Sequence, residues 1–243
     1  MVQGIYTILS NRKIARDVYE MMLSGDTAAI TAPGQFINIK IDGCFLRRPI
    51  SVCDWNENTI TVIYKVVGEG TAVMSGMTEG TSLDILTGLG NGFDMKKSGM
   101  TPLLIGGGVG TPPMYGLCKR LVLQGKHPHV VLGFASRDDV FYEDKFRSLG
   151  ADIRIATADG SFGIPGFVTD AMAGLSYSYF YACGPIPMLH AVADASASDG
   201  QLSFEERMGC GFGACMGCSC KTKYGNKRIC RDGPVLEKEE VIW

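Results

Sequence analysis

The sequence predicts an antiparallel β-barrel, then a doubly wound parallel-sheet α/β domain, then a small cysteine-rich C-terminal region. Three observations predict it. Short β-like runs follow one another at even spacing as far as residue 97. From 98 to 200 apolar strands alternate with helices, and from 201 to 243 Cys, Gly, Lys and Arg replace the large apolar side chains.

The barrel strands are expected in "GIYTILSNR", in "GQFINIKI" after Pro33 and Gly34, and in "RPISVCDW", "TITVIYKVV" and "SLDILTGLG". Each is rich in β-branched or aromatic residues and bounded by turn formers. A short helix is expected after Gly70, with Thr71 as its cap.

In the middle region the strand "TPLLIGGG" leads into the helix "TPPMYGLCKRLVLQG", and "HVVLGFAS" into "DDVFYEDKFRSLG". "ADIRIATA" then leads into "GFVTDAMAGL", and "YSYFYAC" into "PIPMLHAVADASA". Buried strands joined by helices require parallel crossovers, which wind helices onto both faces of one sheet. The C-terminal region has too few apolar side chains for a core of its own, so an inorganic centre is expected to organise it.

Composition excludes several functions. Of the 243 residues 46% are hydrophobic and 20% charged, and 23 basic against 25 acidic side chains leave a net charge of −2. That balance does not mark a binder of nucleic acid or anionic membrane. The N-terminus "MVQGIYTILSNRKIARDVYEMML" lacks the basic start and apolar run of a secretory signal, so a cytoplasmic protein is expected.

Nine cysteines, an odd number, make a poor disulfide framework, and Cys44, Cys53, Cys118 and Cys183 are scattered where buried thiols are ordinary. The other five cluster. Cys210, Cys215 and Cys218 are separated by four and then two residues, and Cys230 follows after eleven more. That is the spacing of plant-type [2Fe–2S] ligation, in which four thiolates hold two irons. Gly209, Gly211, Gly213 and Gly217 would let the loop wrap closely around such a group. Structural zinc is the rival: Cys215 and Cys218 fit one zinc pair, but Cys210 and Cys230 do not make a second. Cys220 stands outside the pattern as a bystander thiol.

Two upstream stretches suggest cofactor pockets. "LLIGGGVGTPPMYGL" is a strand, a turn with Gly106, Gly107, Gly108 and Gly110, and a helix expected to be capped by Thr111. Free N–H groups and the helix dipole suit such a turn to phosphate, although tight packing alone would also explain the glycines. Cys183, Gly184 and Pro185 end the fourth strand of the same domain, where a doubly wound sheet places its ligand crevice. In the barrel, Arg48 and Ser51 are placed to bind a flavin's pyrophosphate and ring edge, with Gly68, Gly70 and Thr71 supplying donors at a helix start. A solvated, charge-protected edge strand is the alternative.

Together, Arg48-Pro49-Ile50-Ser51, the Gly70-Thr71 turn, the Gly106 to Gly110 loop and Cys183-Gly184-Pro185 resemble the ferredoxin reductase superfamily. The tail "EERMGCGFGACMGCSC…CRDGPV" narrows the likeness to the electron-transfer subunits of class B dihydroorotate dehydrogenases, over essentially the whole chain. The resemblance implies FAD at Arg48 to Ser51, at Ile63, Tyr64 and Lys65, and at Gly70 and Thr71. It implies a nicotinamide dinucleotide framed by Gly106 to Thr111 and Cys183 to Pro185, and a [2Fe–2S] cluster on Cys210, Cys215, Cys218 and Cys230.

The same likeness implies a partner subunit that oxidises dihydroorotate on its own FMN, in a heterotetramer of two copies of each. Electrons would pass through the cluster and FAD to NAD+, in pyrimidine biosynthesis. A flavin or iron–sulfur reductase subunit of another redox complex, such as a hydrogenase or an NADH:ferredoxin oxidoreductase, would use the same residues. A zinc-stabilised binding module is the reading from a different class. No general acid or base is needed in this chain, and His127, His129 and His190 are expected to be surface or core residues. NAD is favoured over NADP because Asp138 and Asp139, beside Arg137, would repel a 2′-phosphate.

Overall fold

In the computed structural model, which describes residues 1–243, six antiparallel strands close the N-terminal barrel. They are β1 (Val2–Ala15), β2 (Val18–Ser24), β3 (Phe36–Ile39), β4 (Arg48–Trp55), β5 (Thr59–Lys65) and β6 (Ser82–Leu89), in the order β1-β2-β5-β4-β3-β6. Ile8, Met21, Leu23, Ile37, Ile39, Val52, Ile60, Val62 and Ile85 fill the interior. Their alternation with outward residues is the two-residue period of a strand. Strand β2 was not expected. "VYEMMLS" hides its alternation because outward-facing Val18 and Met22 are apolar too, Val18 packing in the core of the second domain; outward Glu20 is also buried, its carboxylate held by Arg12 at 2.7 Å.

The helix α1 (Glu69–Ser75) begins three residues earlier than expected, with Gly68 rather than Thr71 as its cap. Thr71 is its third residue and works from inside: its hydroxyl accepts from the N–H groups of Val67 and Gly68 at 3.0 and 3.2 Å.

The second domain runs through β7 (Leu103–Gly107), α2 (Thr111–Leu123), β8 (His129–Phe134), α3 (Glu143–Ser148), β9 (Asp152–Thr157), β10 (Ile164–Pro165), α4 (Val168–Met172), β11 (Phe180–Cys183), α5 (Ile186–Ala195) and β12 (Gly200–Ser203). Alternate strand residues serve opposite faces. Leu104, Val130, Leu132 and Tyr181 pack with α2 and α3, whereas Leu103, Ile105, Val131 and Phe180 pack with α4 and α5. The sheet is therefore doubly wound, as the apolar runs predicted. The helix expected across "DDVFYEDKFRSLG" shrinks to α3, because Phe141 is drawn out of it into an edge-on contact with Phe134.

The C-terminal segment adds the hairpin β13 (Ser219–Thr222) and β14 (Gly225–Arg228), then β15 (Val235–Glu237). Strand β15 pairs antiparallel with β12, giving the seven-stranded order β10-β9-β8-β7-β11-β12-β15. The expected boundary after residue 200 thus falls inside β12. Instead of lacking a core, the tail shares one: Cys218, Ile229, Cys230, Leu236 and Val241 join the cluster around Leu103 and Leu202.

Barrel and sheet meet through α2. Gly116 lets the helix approach β4 so closely that a Cβ there would stand 2.4 Å from the Cys53 carbonyl oxygen. Beside it Asp54 pairs with Lys119 and Arg120, and the Arg120 guanidinium lies 3.2 Å over the Trp55 ring. Tyr142 of the second domain donates to Glu20 of the barrel at 2.6 Å.

Candidate functional site

The central strands β7 and β11 are neighbours, and the chain leaves them in opposite directions, through β8 and β9 on one side and β12 on the other. That is a topological switch point, where the crevice of an open α/β sheet opens. The two expected loops meet there. A Cβ on Gly110 would lie 2.0 Å from the Cys183 carbonyl oxygen, and one on Gly184 3.2 Å from the Gly107 Cα. Gly108 takes φ +52°, which favours glycine. The cap of α2 is Gly110, one residue before the expected Thr111, and the Thr111 hydroxyl is fully buried with no partner. A buried orphan hydroxyl beside free helix N–H groups fits a site that a phosphate-bearing ligand completes.

In the barrel, β4 and β5 pair from Trp55↔Ile60 to Val52↔Val62 and no further. Arg48 to Ser51 and Ile63 to Lys65 therefore edge an unladdered gap. Arg48 reaches across to the start of α1, where a Cβ on Gly70 would fall 2.1 Å from its Nε. Pro49, Ile50 and Ser51 are half-buried. Tyr64 does not offer its side chain: the ring sits in the barrel core, its hydroxyl bonded to Asn11 at 2.9 Å, and burial pushes its pKa up to about 12. Ile63 is buried toward α2 and Lys65 is exposed.

The cysteines form two pairs. Cys210 Sγ accepts from the N–H groups of Ala214 and Cys215 at 3.2 and 3.4 Å, and Cys215 Sγ from the N–H of Cys210 at 3.5 Å. Cys218 Sγ accepts from the N–H of Cys230 at 3.4 Å. No three of these sulfurs converge as a single-ion site would demand; two irons need two pairs. Burial pushes the Cys210 thiol up, but N–H groups of Phe212, Cys215 and Ala214 outweigh it and bring it to about 6. Burial, with Cys218 and Cys210 close by, pushes Cys230 up to about 12. Four thiols brought together as two N–H-bonded pairs are the soft, anionic donor set that an iron–sulfur cluster requires.

Of the four loop glycines only Gly211 and Gly213 take left-handed φ, joined by Met216 at +61°. Gly209 instead gives room, since a Cβ there would be 3.2 Å from Cys215 Sγ. Cys220 lies in β13 opposite Lys227, half-buried against the shared core and outside both pairs. Cys53 and Cys118 are buried thiols, and burial pushes both up, Cys118 to about 12. His127 is exposed, His129 pairs with Asp152 at 2.9 Å, and His190 stacks on Trp243 at 4.7 Å. Arg137 lies against the Phe162 ring, while Asp138 binds Arg16 at 2.9 Å.

Asn38 is a site residue that sequence reasoning missed, although a lone carboxamide in "FINI" was a signal. It is cross-strand from Pro49 as Phe36 is from Ser51, and Ile37 and Ile39 point into the barrel, so all four share its outer face. The cysteine loop lands on that face, with Asn38 Nδ2 donating to the Cys210 carbonyl at 3.3 Å.

A barrel with an open β4–β5 gap, a switch-point crevice and two cysteine pairs beside them define a flavin- and nicotinamide-linked iron–sulfur reductase. Comparisons with known proteins agree. Residues 205–242 match the family described as the iron–sulfur cluster binding domain of dihydroorotate dehydrogenase B, and residues 104–194 the oxidoreductase NAD-binding domain. The chain is 46% identical to the dihydroorotate dehydrogenase B (NAD(+)) electron transfer subunit of Bacillus pumilus, covering 99% of this chain and 98% of that one. It is 43% identical to the subunit of that name from Fusobacterium nucleatum, covering 97% and 96%. The chain belongs to the family of dihydroorotate dehydrogenase B electron transfer subunits.

Among solved structures, one of NADH-dependent reduced ferredoxin-NADP oxidoreductase superposes with a TM-score of 0.89 at 29% identity, over 99% of this chain and 90% of that one. The FAD/NAD binding domain of a Vibrio cholerae nitric oxide dioxygenase shares the fold, with a TM-score of 0.69 at 19% identity over 79% and 91%. No helix is long and apolar enough to cross a membrane.

Proposed function

We propose that the chain is the electron-transfer subunit of an NAD-dependent dihydroorotate dehydrogenase, taking electrons from the FMN of a catalytic partner and delivering them to NAD+ in pyrimidine biosynthesis. The observation that carries this reading is the landing of the Cys210 loop on the barrel face that bears Pro49 and Ser51. It sets the cluster ligands beside the flavin gap.

Residues 1–97 form the FAD-binding barrel, 98–200 the NAD-binding domain and 201–243 the cluster domain, with β12 and β15 joining the last two. Arg48 supplies the cation for the FAD pyrophosphate, and its contact with Gly70 holds it there. Ser51 gives a hydroxyl at the ring edge, Pro49 the apolar wall beside it, Ile50 a main-chain group between them, and Ile63, Tyr64, Lys65 and Thr71 main-chain groups along the opposite edge. Gly106, Gly107, Gly108, Gly110 and Thr111 receive the NAD pyrophosphate, and Cys183, Gly184 and Pro185 close the crevice from β11.

Cys210, Cys215, Cys218 and Cys230 ligate the [2Fe–2S] cluster, two thiolates to each iron. When bound, the cluster exchanges single electrons, FAD one or two, and NAD+ accepts a hydride. The chain's own work is to bind, orient and insulate these groups; proton abstraction from dihydroorotate belongs to the partner. Phe212 and Met216, exposed on the cysteine loop, are the apolar surface that such a partner would cover in a cytoplasmic heterotetramer of two copies of each subunit.

The test is to mix the anaerobically purified chain with an FMN-bearing, dihydroorotate-oxidising subunit and follow NADH formation, omitting each component in turn. NADH is expected only with both. A flavin- and iron-loaded chain that yields none would move the assignment to a reductase subunit of another redox complex.

A further inference from the structure

We infer that the Asn38 side chain bridges the two redox groups, its Nδ2 fixing the Cys210 end of the cluster loop and its Oδ1 accepting a hydrogen bond from the flavin. The inference rests on the functional reading above and deepens it.

Asn38 is 1% exposed, on a strand whose other members are apolar. A buried carboxamide must satisfy two donors and an acceptor. Nδ2 faces the Cys210 carbonyl at 3.3 Å, which settles the orientation of the amide: turning it over would set two oxygens against each other. Gly211, at φ +78°, is drawn in so closely that a Cβ there would lie 2.3 Å from Nδ2. That orientation leaves Oδ1 buried without any partner in the chain. Buried acceptors are rarely left unpaired, so a partner from outside the chain is called for.

The chemistry of the two neighbouring groups decides what completes it. An iron–sulfur cluster presents sulfide and thiolate, which only accept. A flavin presents N–H and O–H donors, and Asn38 stands cross-strand from Pro49 at the edge of the flavin gap. The acceptor therefore belongs to the flavin and the donor to the cluster loop. One side chain then sets the separation and alignment of the two groups, so Asn38 is a positioning residue for electron transfer between them.

Asn38→Leu removes both hydrogen bonds at similar volume. In the isolated chain, without any partner, it is expected to retain FAD and iron while altering three readouts. The flavin midpoint potential shifts, the electron paramagnetic resonance signal of the reduced cluster changes, and NADH-driven reduction of the cluster slows about tenfold, as for other residues that orient metal ligands through hydrogen bonds. Asn38→Ala, which removes the same groups without crowding, gives the same readouts if the leucine variant assembles poorly. A purely structural role would lower stability or iron content and leave the flavin potential alone. A flavin potential and resonance signal equal to wild type in either loaded variant would overturn the bridge while leaving the functional reading intact. A wild-type chain that binds no flavin would overturn both.

Discussion

The Arg48 guanidinium lies across the backbone of Gly70, where a Cβ would stand 2.1 Å from Nε. The atom displaced by a larger residue is the end of a flexible side chain, and Gly70 has no left-handed φ, so alanine there spares the fold. Gly70→Ala is expected to push Arg48 off its place and weaken FAD binding about tenfold, the loss of one charge-assisted hydrogen bond to phosphate. Titration of the flavin-stripped protein with FAD measures this; an unchanged Kd would release Arg48 from the pyrophosphate role.

Gly110 presents a harder constraint, because a Cβ there meets the Cys183 carbonyl oxygen at 2.0 Å and neither backbone can move alone. Gly110→Ala is expected to part the two lips of the crevice. Anaerobic stopped-flow mixing with NADH should show flavin reduction slowed by about a hundredfold, in line with the cost of misplacing reacting groups by an ångström. FAD and iron contents should stay at wild-type levels.

Cys215→Ser leaves only three of the four thiolates. The variant is expected to keep FAD, lose iron and acid-labile sulfide, and fail entirely in dihydroorotate-dependent NAD reduction with the partner subunit. NADH oxidation by an artificial acceptor that takes electrons from the flavin should persist. Unchanged coupled activity would remove the cluster from the electron path.

Glu237 of β15 accepts from Lys97 at 2.7 Å, Gln201 at 2.8 Å and Tyr179 at 2.9 Å. Burial pushes its carboxyl up, but these three partners outweigh it and hold the group below the usual range. A lowered folded value means that the carboxylate's contribution is complete above the unfolded value of roughly 4.3 and drains away as pH falls through the folded one. Glu237→Gln is expected to be less stable by about 1 kcal/mol at neutral pH, a figure reduced because the side chain is partly open to water. Its stability should fall less steeply with acid than that of wild type. Urea unfolding across pH 7 to 3 tests it, and parallel pH curves would contradict it.

Much of this architecture could be read from residues alone, because apolar alternation and glycine turns leave local marks. Leu103 and Leu104 take opposite faces of the sheet as neighbours in a strand must, and the spacing of Cys210, Cys215, Cys218 and Cys230 marked the cysteine loop, though not which thiols would stand side by side. What was not legible depends on partners distant in sequence. Val18 breaks the alternation of β2 until the second domain packs on that outward face, which is why the strand was overlooked. Tyr64 looked like part of a binding edge, but only closure of the barrel shows that its ring points inward. Asn38 acquires meaning only when a loop more than 170 positions later settles on it.

Strand β15 has a consequence for anyone who would treat the cluster region as a detachable cartridge. It covers the edge of β12, and Asn91, just past the barrel, grips its first residue through both Val235 N–H and C=O, at 3.1 and 2.8 Å. Cutting the chain before Cys210 would strip that cover and leave an open strand edge, an invitation to self-association. The iron-bearing end is stitched into the sheet at both of its own ends, so a simplified flavin reductase made by trimming it would need a replacement edge strand before it could stay in solution.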